Sequence, residues 1–192
     1  MRAPFPLALR IGTDIVATNR ISALLQPDVR RLVRLANRFL VPAELEDLRR
    51  RFPHWQDDAG RQDQLARKQV VAWIAGRWAS KEAAKKAWDA SLLSFRDLRV
   101  GIESDGAVHV VCDTHPEITA TSDDSTIKVT EQVAQLSISH DGEYAIATVL
   151  ATPLHPDISA ELGRRKAEAE AKIKRVRSPL GETESPRSAT PD

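Results

Sequence analysis

Two Asp-Gly pairs set the frame of this chain, Asp105-Gly106 and Asp141-Gly142. Each stands between runs in which apolar residues alternate: FRDLRVGIE and AVHVVCD around the first, VAQLSISH and EYAIATVL around the second. Asp-Gly in that setting is a strong signal for an antiparallel hairpin, because glycine supplies the positive φ that a tight turn requires. A further β-rich run, LALRIGTDIV (7–16), opens the chain and places Gly12, Asp14 and Val16 on one side.

Between the opening strand and the hairpins the period changes to helical. NRISALLQ (19–26) has apolar residues at 21, 24 and 25, and Pro27 interrupts it. DVRRLVRLANRFL restarts a helix with Leu32, Leu35 and Phe39 on one face, and Pro42 opens a third, PAELEDLRRRF. Residues 54–64 are polar and read as a loop. The spacing then predicts a long helix from Leu65 to Ala90, and THPEITATSDDST (114–126) reads as a surface insertion between strands. Helices first and antiparallel strands afterwards give an α+β fold, with the antiparallel sheet around the long helix, rather than a doubly wound parallel one.

The last 40 residues differ from the rest. From Pro153 onward the chain carries 8 basic and 7 acidic residues, and few large apolar ones. Residues 157–177 could form a charged, alanine-rich helix, and SPLGETESPRSATPD reads as disordered. The expected division is a folded unit over 1–152 and a charged tail over 153–192 that adds nothing to its core.

Composition excludes several classes. A single cysteine, Cys112, rules out an internal disulfide framework and any Cys-cluster zinc site. The 28 basic and 27 acidic residues leave a net charge of +1, so no global field drives the chain onto nucleic acid or membrane. No apolar run approaches the ~18–20 residues that span a bilayer. The N-terminus has Arg2 and Arg10 but no acid before Asp14, which leaves a short organellar-targeting segment open. Gly-x-Ser-x-Gly, Walker-type and HExxH motifs are absent, against serine hydrolase, P-loop and zincin readings.

Three places could carry chemistry. In RWASKEAAKKAW (77–88), Trp78, Glu82 and Lys86 lie four apart and form one helical stripe, with Lys81 and Lys85 beside it. On spacing alone this is an ordinary ion pair on a solvated face, or part of the shell of a hard cation beside phosphate. Mg²⁺ takes one or two carboxylates plus substrate phosphates, so a second carboxylate must come from elsewhere. Asp14, inside the apolar strand IGTDIV, is the candidate, against a helix cap or a partner for Arg20. His140 follows Ser137 and Ser139 where a strand meets its turn.

Taken in order, IGTDIVATNRI, RFLVPAELEDL, AGRWASKEAAKKA and SISHDGEYAIATVL resemble the holo-acyl-carrier-protein synthases, short members of the 4′-phosphopantetheinyl transferases. The resemblance covers residues 9–150 apart from 54–64 and 114–132. It implies the 4′-phosphopantetheinyl transferase fold and Mg²⁺-dependent transfer of phosphopantetheine from coenzyme A to a serine of an acyl carrier protein for fatty acid synthesis. It further implies Asp14 and Glu82 as metal ligands, with Glu82 and Lys86 catalytic. Lys86, Ser139 and His140 would contact coenzyme A, while Arg20, Leu24, Arg34 and Arg38 would meet the carrier protein. Family members of this type are homotrimers with sites between subunits. The family's eukaryotic distribution and the tail's Ser-Pro sites point to mitochondria, with the cytoplasm as alternative. A catalytically silent carrier-binding domain is the alternative function.

Two features depart from the family. Its glycine-rich stretch after the Lys-Glu-Ala helix is here WDASLLSF (88–95), without glycine, and the 110–135 region and the tail lack counterparts. The partner also leaves a trace of its own. Arg20 to Arg51 holds eight arginines against four acids, and Arg30, Arg31, Arg34 and Arg38 share one arc of a helix. Such a face steers an acidic partner. No aromatics interleave with the arginines, which disfavours RNA.

Overall fold

A computed structural model of the chain describes residues 7–26, 28–57, 63–114 and 128–177. Strand β1 (Arg10–Ala17) leads into a short α1 (Thr18–Ser22) and a 3₁₀ turn (Ala23–Leu25). Helices α2 (Arg30–Phe39), α3 (Pro42–Arg51) and the 24-residue α4 (Gln64–Ala87) follow. Then come β2 (Leu98–Ile102), β3 (Val108–Asp113), β4 (Glu131–Asp141), β5 (Tyr144–Ala151) and α5 (Pro156–Arg177). The expected insertion lies outside the described residues from 115 to 127.

The strands form one antiparallel sheet in the order β1-β5-β4-β3-β2. Both Asp-Gly hairpins form, with Gly106 at φ +89° and Gly142 at φ +53°. β1 returns to pair along its whole length with β5, placing Asp14 opposite Ala147.

Helix α4 lies across one face of the sheet. Asp63 caps its start, its Oδ1 accepting from the N–H groups of Leu65 (2.9 Å) and Ala66 (3.0 Å). It ends at Ala87, three residues before the sequence expectation. Trp88 leaves helical geometry and its indole N–H donates to the Thr152 carbonyl. Close approach of sheet and helix follows from small residues on the covered face: Gly12, Ala134, Ala145, Ala147 and Ala151 are all buried. A Cβ at Gly12 would lie 2.0 Å from the Ala83 carbonyl oxygen, so no other residue fits there undisturbed.

Helices α2 and α3 cover the far flank of α4, burying Leu32, Phe39 and Leu48 completely. Phe39, Trp78 and Phe95 form an edge-packed aromatic cluster. Lys81 is fully buried at this junction. Its ammonium donates to Glu44 Oε2 (2.5 Å) and to the carbonyls of Phe39 (2.8 Å) and Phe95 (3.1 Å). Glu44, itself 3 % exposed, also accepts from the Val41 and Val100 N–H groups. Each buried charge is thereby paired and hydrogen-bonded, which is the condition for tolerating it.

On the opposite face, strands β1, β5 and β4 present exposed apolar side chains. Ile11, Ile15 and Val133 are 69, 58 and 56 % exposed, with Ile146 and Leu150 beside them. The tail also differs from expectation. Ile158 and Leu162 of α5 are buried in the main core, and Asp157 accepts from the Val129 N–H. The folded unit therefore continues past residue 152, because these two residues one helical turn apart supply an apolar stripe. Only the later turns of α5, from residue 167 to 175, are exposed throughout. The expected disordered segment, 178–192, lies outside the described residues.

Candidate active site

Gly12, Asp14 and Val16 face α4, as their shared side of the strand requires. Asp14, 17 % exposed at its side chain, accepts a hydrogen bond from Lys86 Nζ at 2.8 Å. The same ammonium donates to the Thr13 carbonyl at 2.9 Å. Asp14 thus pairs with Lys86 across 72 residues of sequence, not with Arg20. One turn earlier on α4, Glu82 stands on the same stripe, with Lys85 at 3.8 Å. Two carboxylates from two elements therefore meet two lysines of one helix.

Lys86 is half exposed and reaches Asp14 from α4, while Asp14 is carried by β1. The donor set is right for a hard cation: carboxylate oxygens, no sulfur, and a flexible lysine that can yield its place. Among the described residues no cluster of three or more His, Cys, Asp or Glu could hold a metal alone. Two carboxylates completed by substrate phosphates fit Mg²⁺, which keeps part of its shell for other ligands.

His140 and Ser139 are placed differently. His140 continues the helix-facing row of β4, and its ring lies beside Gly76, where a Cβ would be 3.3 Å from Cε1 and Nε2. Partial burial lowers its pKa below the usual histidine value. Gly76 precedes Lys86 by ten residues, roughly 15 Å along the helix axis. The structure therefore does not bring His140 to Asp14 and Lys86 within one subunit. Ser139, the preceding residue, points to the bare face.

The expected carrier-facing residues lie on α1, the 3₁₀ turn and α2. Arg20, Arg34 and Arg38 are exposed and Leu24 is half-buried. Arg30, Arg31, Arg34 and Arg38 line the outer side of α2 while Leu32, Ala36 and Phe39 are buried. Arg38 also borders a cavity of about 430 Å³ with Trp78, Phe95 and Arg96. Phe95 ends the glycine-free segment, and the Lys85 ammonium rests 4.6 Å from its ring centre. Sequence spacing missed Lys81, which it left on a surface stripe. The available signal was Glu44, a carboxylate within the otherwise apolar start of α3.

The chain has known relatives. The chain belongs to the 4′-phosphopantetheinyl transferase superfamily, whose pattern matches residues 10–149. Members are transferase enzymes, and the relatives it resembles are of the short kind. It is 37 % identical over 156 residues to "4′-phosphopantetheinyl transferase B, mitochondrial" of Aspergillus fumigatus, covering 77 % of this chain and 96 % of that one. It is 27 % identical over 143 residues to the holo-[acyl-carrier-protein] synthase of Bacillus subtilis, covering 73 % and 92 %. The Helicobacter pylori holo-[acyl-carrier-protein] synthase, solved in complex with coenzyme A, aligns over 72 % of this chain and 96 % of its own, at 27 % identity and a TM-score of 0.44.

Proposed function

We propose that this chain transfers the 4′-phosphopantetheine arm of coenzyme A to a serine of an acyl carrier protein, in a Mg²⁺-dependent reaction that serves fatty acid synthesis in mitochondria. The observation that carries the reading is the meeting of Asp14 and Lys86 across β1 and α4, one turn from Glu82. The named relatives support the chemistry, and the mitochondrial fungal relative supports the compartment.

In this reaction the serine oxygen attacks the phosphorus that bears pantetheine, and the bond to the second phosphate breaks, releasing adenosine 3′,5′-bisphosphate. Catalysis of such a step rests on positioning and charge neutralisation. Asp14 and Glu82 would hold Mg²⁺ against the pyrophosphate, where the ion supplies positive charge to phosphate oxygens. Lys86, released from Asp14, turns to the same oxygens and supplies a proton to the leaving phosphate. Glu82 takes the serine proton. Arg20, Arg34 and Arg38, with Leu24 as an apolar contact, orient the acidic carrier. No ion pair engages these three arginines among the described residues.

The site is completed between subunits of a homotrimer. His140 lies about 15 Å along α4 from the Lys86 of its own subunit, and Ser139 faces the bare sheet. A neighbour's β4 supplies both to the coenzyme, and the apolar face is covered in the same step. Such coverage also removes a sheet surface that would invite aggregation.

Intact-mass analysis of an apo carrier protein after incubation with coenzyme A tests the reading. The phosphopantetheine increment is expected with Mg²⁺ and lost with a chelator. A carrier that binds the chain but gains no mass would leave only a silent binding domain.

A further inference from the structure

Lys81 precedes the proposed metal ligand Glu82, yet it has no donor left for a phosphate. An ammonium carries three N–H donors. Here they go to Glu44 Oε2 (2.5 Å), to the Phe39 carbonyl (2.8 Å) and to the Phe95 carbonyl (3.1 Å). Phe39 is the last residue of α2, Glu44 lies in the first turn of α3, and Phe95 opens the 3₁₀ turn Phe95–Asp97 before β2. One side chain of α4 thus holds three other elements. Glu44 repeats the pattern from the other side. Its Oε2 also accepts from the Val41 N–H (3.0 Å), in the short link between α2 and α3, and its Oε1 accepts from the Val100 N–H of β2 (3.1 Å).

Such an arrangement demands a reason. Lys81 is 0 % exposed and Glu44 3 %. A buried ion pair is weak evidence of stability, because apolar residues of the same volume often serve as well or better. What apolar residues cannot supply is direction. Leu32, Ala36 and Phe39 bury α2 in the core it shares with α4, and burial of that kind is non-directional. A hydrogen bond to the terminal carbonyl of α2 fixes distance and angle. A cation at that place also meets the negative end of the helix.

The ties lie beside the face proposed to meet the carrier. Arg38 of α2 and Phe95 and Arg96 of the turn border one cavity, with Trp78 of α4 among its lining residues. Lys81 bonds the carbonyls of Phe39 and Phe95, so it sets the separation of α2 from the turn. Arg96 adds a second tie by donating to the Asn37 carbonyl. Helix α4 is seated independently, by its close contact with Gly12 and by the Lys86–Asp14 pair.

On the reading that Arg34 and Arg38 of α2 meet the carrier, we propose that Lys81 and Glu44 are positioning residues for it. They hold α2 at a fixed place beside the helix that carries Glu82, so that the carrier serine is presented to the metal site. Loss of the tie leaves α4 on the sheet, with Glu82 and Lys86 near Asp14, and lets α2 and the 95–97 turn move. The consequence falls on carrier binding and not on the chemical step.

Two variants of the full chain separate this role from simple stability. Lys81→Met keeps the length of the side chain and removes all three bonds, but strands the Glu44 carboxylate. Lys81→Met/Glu44→Gln removes the stranded charge and keeps an acceptor for the Val41 and Val100 N–H groups. Mass-resolved carrier modification gives kcat and the KM values for carrier and coenzyme A, with urea unfolding and amide hydrogen exchange beside them. In both variants the carrier KM should rise about tenfold or more, the scale of one displaced charged hydrogen bond. The kcat and the coenzyme A KM should stay near the parent's. The double variant should regain most of the stability that the single one loses, yet keep the raised carrier KM. Exchange should quicken in the last turn of α2 and at 95–97, and stay parental in β1, β5 and α4. A carrier KM that returns to the parental value with stability in the double variant, or one that never rises, overturns the positioning role. A parent chain that modifies no carrier refutes the transfer reading instead. The exchange pattern then decides the tie: local quickening keeps it, and uniform quickening or none ends it.

Discussion

Replacing Gly12 by alanine tests how the fold delivers Asp14 to its partners. The new Cβ would lie 2.0 Å from the Ala83 oxygen and 2.6 Å from the Ala87 nitrogen. Both belong to the backbone of α4, so neither can rotate away. Real contacts of this kind do not fall below 3.0 Å, and the strand and helix must separate by at least 1.0 Å at this point. β1 is an edge strand with β5 as its one neighbour in the sheet, so it is the element that gives way. Asp14 rides on the same strand two residues later and leaves the 2.8 Å contact with Lys86. Overpacking of this size costs about 1–3 kcal/mol, and a displacement of about 1 Å at a catalytic group can cost on the order of 100-fold in rate. Urea unfolding should show the stability loss, and mass-resolved carrier modification should show kcat/KM down by about 100-fold. A Gly12→Ala chain with parental stability and rate would refute the close-contact reasoning.

Asp14→Ala and Glu82→Ala should each abolish transfer while circular dichroism shows the parental fold, because neither carboxylate is part of the buried network around Lys81; near-parental turnover at limiting Mg²⁺ would remove that residue from the metal site. Lys86→Ala should lose roughly 2–4 kcal/mol of transition-state stabilisation, read as kcat in a single-turnover assay, with little change in unfolding midpoint. Ile158→Ala removes a fully buried side chain and should cost about 2–5 kcal/mol in urea unfolding; a negligible loss would return α5 to the status of an undocked tail. His140 has its pKa lowered by burial, so the unfolded chain binds its proton more readily than the folded one. Stability from this residue is therefore complete above the ordinary histidine pKa of about 6.5 and falls as pH drops from there through the lowered value. His140→Asn should flatten that part of the midpoint-versus-pH curve.

What the sequence disclosed depended on whether a feature was local. Both hairpins were legible because Asp-Gly and alternation are short-range signals, and the stripe of Glu82 and Lys86 because helical spacing is fixed. Asp14 stood out as a carboxylate in an apolar strand, although its partner lay 72 residues away and spacing could not name it. Lys81 was illegible for the same reason. It is adjacent to Glu82 and looks like any solvated lysine until α2, α3 and the turn before β2 close around it. The tail misled through averaging. Forty residues of high charge hid Ile158 and Leu162, a pair spaced to bury one helical stripe.

The alternation in β5 identified a strand without saying which side is inward, and here the sides are the reverse of size. Ala145, Ala147 and Ala151 face α4 with Val149 among them, while Ile146 and Leu150 face outward. A sheet optimised for an isolated subunit would turn its larger apolar groups to the core. The small set is explained by the helix, since α4 approaches until Gly12 alone fits beneath Ala83. The large set has no such explanation within one subunit. It does have one in the proposed assembly, because the face that needs covering also presents Ser139, and the strand that carries Ser139 presents His140 to a part of α4 remote from Lys86. A contact between copies through this face would bury Ile11, Ile15 and Ile146 and engage Ser139.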